Sequence, residues 1–171
     1  MESAEHDFGR ALSIDAEAVG RPGQRRFRLL VRSTSSSISV WMEKQQLAGI
    51  GTWFEEVLER LDREHPSSEP DVEPLTAGEP KLELRASQIG LGYDENERVF
   101  TLHAFDAENT GASQAPAFRC LLSRGQSRVL ARKIGEVVAA GRPICPLCGA
   151  PIDPEGHVCP RSNGHRAAGI G

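Results

Sequence analysis

The chain has 171 residues, 39% hydrophobic and 26% charged, with a formal net charge of -4 and a pI near 5.8. That length suffices for one compact domain with a small appendage, and the acidic balance argues against a general field recruiting nucleic acid or anionic membrane. The opening MESAEHD is acidic and polar, unlike a signal peptide, and the apolar runs are too short to span a bilayer, so a cytoplasmic protein with reduced thiols is expected.

In chain order, Leu12, Ile14, Ala16 and Ala18 alternate as in a strand, and Gly20-Arg21-Pro22-Gly23 marks a turn. Phe27, Leu29 and Val31 give a second strand, and Ile38, Val40 and Met42 a third after the polar turn Thr34 to Ser37. The period then changes. Leu47, Ile50, Phe54, Val57, Leu58 and Leu61 recur at helical spacing, predicting an amphipathic helix over 44–63. Gly49 and Gly51 inside it each cost about 1 kcal/mol relative to Ala, so close packing is expected at that turn.

Residues 64–80 (EHPSSEPDVEPLTAGEP) hold four prolines and five acidic residues and read as a mobile surface spacer. Strand patterns return at 81–86 (KLELRA), 98–105 (RVFTLHAF) and 117–122 (AFRCLL), with turn chemistry at Gly90 to Tyr93 and Asp94 to Glu97. Val129, Leu130, Ile134, Val137 and Val138 predict a second helix over 125–140, ended by Gly141 and Pro143.

A shift of 80 residues places Gln46 on Gln126, Ile50 on Leu130, Phe54 on Ile134 and Val57 on Val137. The expected fold class is therefore α+β: a duplicated strand-strand-strand-helix unit (halves 8–63 and 81–142) forming an antiparallel sheet with helices on one face. Residues 1–142 make that domain and 143–171 a C-terminal zinc knuckle.

The knuckle rests on Cys145-Pro146-Leu147-Cys148-Gly149, followed by His157-Val158-Cys159-Pro160 and Asn163-Gly164-His165. CxxC spacing lets one tight turn grip a metal ion, and the following Gly turns backbone N–H groups toward the sulfurs. Cys145, Cys148 and Cys159 with His165, six positions beyond Cys159, complete a tetrahedral set, with His157 as the alternative fourth ligand. Four protein ligands leave no open position, so the expected Zn2+ is structural. A redox dithiol is disfavoured because Pro143 precedes the motif and Gly149-Ala150-Pro151 follows it, where such a site would open a helix.

The stretch CPLCGAPIDPEGHVCPRSNGH, Cys145 to His165, together with WMEKQQL at Trp41 to Leu47, resembles the family known as domain of unknown function 3090. The resemblance spans nearly the whole chain and implies an actinobacterial origin, but no activity.

Two basic groups add candidate surfaces. Arg26, Arg28 and Arg32 share one strand face, and Arg124, Arg128 and Arg132 recur every fourth residue of the second helix. Each set suits an anion or an acidic partner, or is a solvated face. Gln45, Gln46 and Gln126 start the helices at matching places and would flank a groove between repeats. No nucleophile–base set stands out, His103 lies alone in a strand, and Gly90-Leu91-Gly92 lacks the setting of a nucleotide fingerprint. The functional expectation is a non-enzymatic binding module for another protein. The alternatives are nucleic-acid binding through the arginines, disfavoured by net charge, and an enzyme acting on a phosphorylated metabolite.

Overall fold

The structure, a computed structural model, describes residues 4–21, 23–76, 78–108, 115–140, 146–148 and 159. Among these lie seven strands and two helices. They are β1 (His6–Arg10), β2 (Ser13–Val19), β3 (Arg26–Arg32), β4 (Ser37–Met42), α1 (Lys44–Glu64), β5 (Leu82–Asp94), β6 (Val99–Asp106), β7 (Phe118–Leu122) and α2 (Arg124–Ala140).

The strands form one mixed sheet in the order β1-β7-β6-β5-β4-β3-β2. Its two ends are the same stretch of chain, since only Ala11 and Leu12 separate β1 from β2. Ala11 N–H donates to Leu121 O in β7 (2.9 Å), and the next residue, Leu12, donates to Arg32 O in β3 (2.8 Å). Adjacent residues cannot reach opposite edges of a flat sheet whose strands are about 4.8 Å apart, so the sheet curls round and closes through this bent strand.

The closure corrects the expectation of an antiparallel sheet, because β4 pairs β5 and β1 pairs β7 in parallel. It also adds β1, which alternation did not reveal. HDFGR has no apolar period, and its pairing with β7 is irregular between Asp7 and Arg10. β5 runs unbroken to Asp94, although Gly90 to Tyr93 read as a turn. Its register with β6, Gly90 on His103 through Asp94 on Val99, outweighs the local turn preference.

β5 and the β1–β2 segment behave alike. Each pairs one neighbour in parallel over its first part and another antiparallel over its second. A glutamine braces each bend. Glu43 N–H donates to Gln46 Oε1 (2.8 Å), while Gln46 Nε2 donates to Ser87 O beside the bend of β5 (3.2 Å). Ser123 N–H donates to Gln126 Oε1 (2.9 Å), while Gln126 Nε2 donates to Ala11 O (2.8 Å). Each glutamine thus closes the first turn of its helix and ties that helix to the strand.

The apolar sides of the strands and of both helices make one core. Leu29, Val31, Ile38, Val40, Phe100, Leu102, Phe118 and Leu122 meet Leu47, Phe54, Leu130 and Ile134 there, all almost fully buried. The helices pack directly on each other at Gly51, where an added Cβ would lie 2.7 Å from the Ile134 Cγ2 atom. The close packing expected near Gly49 and Gly51 is therefore found at Gly51 alone, since Gly49 faces open space. Trp53 stands at the core's rim against Phe54 and Phe100 (centroids 5.3 and 5.9 Å away).

Candidate functional site

Of the expected zinc ligands, Cys145, His157 and His165 lie outside the described residues. Cys148 ends the turn 146–148 and is half-buried, and Cys159 is buried. Among the described residues no group of three or more His, Cys, Asp or Glu side chains converges. Cys120 in β7 is a fully buried core thiol, and that burial pushes its pKa up to about 12.

The acidic segment is held, not a free spacer. Arg124 donates to His65 O (2.7 Å) and lies 3.7 Å from Asp62. Arg128 donates to Asp71 Oδ1 (2.8 Å) and to Glu69 O, and Arg132 reaches Glu73 Oε1 (3.3 Å). In an extended stretch Glu69, Asp71 and Glu73 point the same way, and Arg128 and Arg132, one helical turn apart, meet Asp71 and Glu73 as two rungs. Glu69 Oε1 also accepts from Gly125 N–H (3.0 Å), and Val72 N–H donates to Gly125 O (3.3 Å). A Cβ on Gly125 would sit 2.0 Å from Pro70 O, so only glycine admits this approach. The Arg128 guanidinium holds the Asp71 carboxyl below the usual carboxylate range.

The β3 arginines divide. Arg28 is clamped by Glu17 and donates to Ser39 Oγ (3.0 Å), and Arg32 donates to Gly78 O (2.5 Å). Arg26 is different, for its guanidinium lies 4.0 Å from the centre of the Trp41 ring, with that of Arg28 at 4.9 Å. The structure therefore gives Arg124, Arg128, Arg132, Arg28 and Arg32 partners within the chain, and leaves Arg26 facing outward.

Register explains what surrounds it. Arg28 opposes Trp41 across β3 and β4, and Trp41 opposes Arg85 across β4 and β5. Where β5 leaves β4, a groove of about 500 Å³ opens, walled by Arg25, Arg26, Trp41, Lys44, Gln46 and Arg85 among others. Among the described residues no carboxylate lies within 4 Å of the charged nitrogens of Arg25, Arg26, Lys44 or Arg85. Arg25 adds a sharper sign: its Nε is buried and has no hydrogen-bond partner among the described residues. Unpaired buried donors are costly and uncommon.

Of the groove's cations, only Arg26 belongs to the arginine set that the strand period singles out; Arg25, Lys44 and Arg85 do not. Arg85 is carried to Trp41 by a parallel pairing 44 residues away, which leaves no local trace. The motif Trp41 to Leu47 was the available signal, since it supplies Trp41, Met42, Glu43, Lys44 and Gln46 to the groove.

No curated protein and no solved structure matches this chain. A family model described as a protein of unknown function, DUF3090, matches residues 6–159. The match includes Cys145, Cys148, His157 and Cys159, and ends before His165. With all seven strands and both helices inside that match, the chain belongs to the DUF3090 family.

Proposed function

We propose that this chain is a non-enzymatic binding protein that takes an anionic ligand in the groove beside Trp41. Four cations without an acidic partner among the described residues surround one cavity, and that observation carries the reading. Where the rest of the molecule concentrates arginine, the chain supplies carboxylates that pair with it; here, among the described residues, Glu43 is the one carboxylate on the groove wall and it pairs with none of the four. Charge-assisted bonds from guanidinium groups to carboxylate or phosphate are among the strongest polar contacts available. The Ser87 hydroxyl at the rim is committed to Phe105 O (3.2 Å). Glu43 apart, the groove's other charged groups are cations, a set that holds an anion rather than attacks it.

The fold is a duplicated strand-strand-strand-helix unit. Two glutamines 80 residues apart, each bonding its own helix start and the bend of a long strand, support this reading. The C-terminal segment carries a structural Zn2+ on Cys145, Cys148, Cys159 and either His165 or His157, a thiolate-rich donor set that suits zinc. Metal content after replacing each histidine in turn assigns the fourth ligand. The protein works in the cytoplasm, where those thiols stay reduced.

The test is a titration of the whole protein with citrate, pyrophosphate and chloride, followed at the two tryptophan indole N–H resonances. The Trp41 resonance should move with the polyvalent anions and lose that response as salt rises. A Trp41 resonance indifferent to every polyvalent anion would sink the reading.

A further inference from the structure

We infer that the ligand of this groove is an acidic polypeptide segment in extended conformation, bound much as the chain binds its own residues 69–73. The inference rests on the anion-binding reading and names the class of anion.

The groove is poorly matched to a small phosphate. Its volume is about 500 Å³, and its cations line different walls: Arg25 and Arg26 on the β3 side, Lys44 on the first turn of α1, Arg85 on β5. Spread charges select a ligand with several separated anionic groups. An extended chain offers them at every second residue, about 6.6 Å apart at ~3.3 Å per residue.

The same molecule shows such an acidic stretch in place. Glu69-Pro70-Asp71-Val72-Glu73 crosses the start of α2 with one carboxylate on the Gly125 N–H and the others on Arg128 and Arg132. Pro70, and Pro74 just after the stretch, restrict the backbone and lower the entropy lost on binding. The groove lies at the matching end of α1, beside Gln46, the counterpart of Gln126 in its bonding. There, among the described residues, no carboxylate pairs with the cations. Arg25, whose buried Nε has no hydrogen-bond partner among the described residues, borders the groove, and Trp41 on its wall holds the Arg26 guanidinium stacked on its ring.

The experiment uses the intact protein and a synthetic peptide with the sequence of residues 67–75 (SSEPDVEPL), ends blocked. The chain's own copy already occupies α2, so added peptide reports on the open groove. The Trp41 indole resonance should shift saturably. A control peptide with Gln, Asn and Gln at the three acidic positions should bind at least about tenfold more weakly. The double charge reversal R26E/R85E should weaken binding by a similar factor, because both side chains are exposed on the groove wall. If that variant loses its native circular dichroism, R26Q/R85Q takes its place with the same expectation.

Three results would overturn the inference. Pyrophosphate or a short oligonucleotide moving Trp41 while the peptide does not would leave the anion reading standing and remove the peptide. Peptide-induced shifts confined to α2 would place binding elsewhere. Silence toward every anion would remove both readings together.

Discussion

Replacing Gly125 with Ala is expected to release the acidic segment from α2, although glycine to alanine in a helix ordinarily stabilises. The ordinary gain is about 0.5–1 kcal/mol. Against it stands a Cβ placed 2.0 Å from Pro70 O, which forces the segment outward. The Glu69 bond to Gly125 N–H involves a charged acceptor, worth about 1.5–3 kcal/mol, and the Val72 N–H bond to Gly125 O about 0.5–1.5 kcal/mol. The solvent-exposed Arg128–Asp71 and Arg132–Glu73 pairs are screened by water and add little. Since part of each survives a shifted segment, the net loss should be about 2–3 kcal/mol, a fall in Tm of about 5–10 °C for a chain of this size. Gly49, exposed in α1 with nothing near its missing Cβ, is the internal control: G49A should raise stability by about 0.5–1 kcal/mol. Thermal melts of both variants, with limited proteolysis mapped to residues 64–80, check the pair. A G125A protein as stable as the parent, its segment still resistant to protease, would refute the reasoning.

Three further outcomes follow from the packing and the titrating groups. G51A should cost about 1–3 kcal/mol in denaturant melts through overpacking against Ile134. Cys120, with its thiol pushed up to about 12, should resist alkylation at pH 8 until the protein unfolds, as read by peptide mass mapping. Burial, followed by Arg119, lowers the pKa of His103 from the ordinary 6.5. Between the lowered value and 6.5 the unfolded chain therefore binds more protons, and stability should fall as pH drops below 6.5. H103Q should flatten that slope in melts taken from pH 7.5 to 5.

The sequence was most informative where structure is local. The spacing of Leu47 to Leu61 and of Val129 to Val138 sets both helices, now Lys44–Glu64 and Arg124–Ala140. Gln46 and Gln126 were visible as matched helix starts, though not as braces, because their second partners lie 41 and 115 residues away. The strands with clean alternation were legible, whereas β1 was hidden by its bulge and β5 by glycines that its partner strand keeps extended. Sheet direction was misjudged because hairpins announce themselves through turns, while the parallel pairs β4–β5 and β1–β7 join distant segments. The same distance concealed Arg85. The arginines of α2 were seen, but their partners sat in a segment whose proline and acid content resembled a free linker.

The buried Nε of Arg25, which has no hydrogen-bond partner among the described residues, tests the central claim most directly. Its N–H resonance, followed in nitrogen-edited spectra of the whole protein, should move downfield and exchange more slowly with water as ligand fills the groove. An Arg25 resonance that stays fixed while another region responds would contradict the assignment of this groove as the binding site.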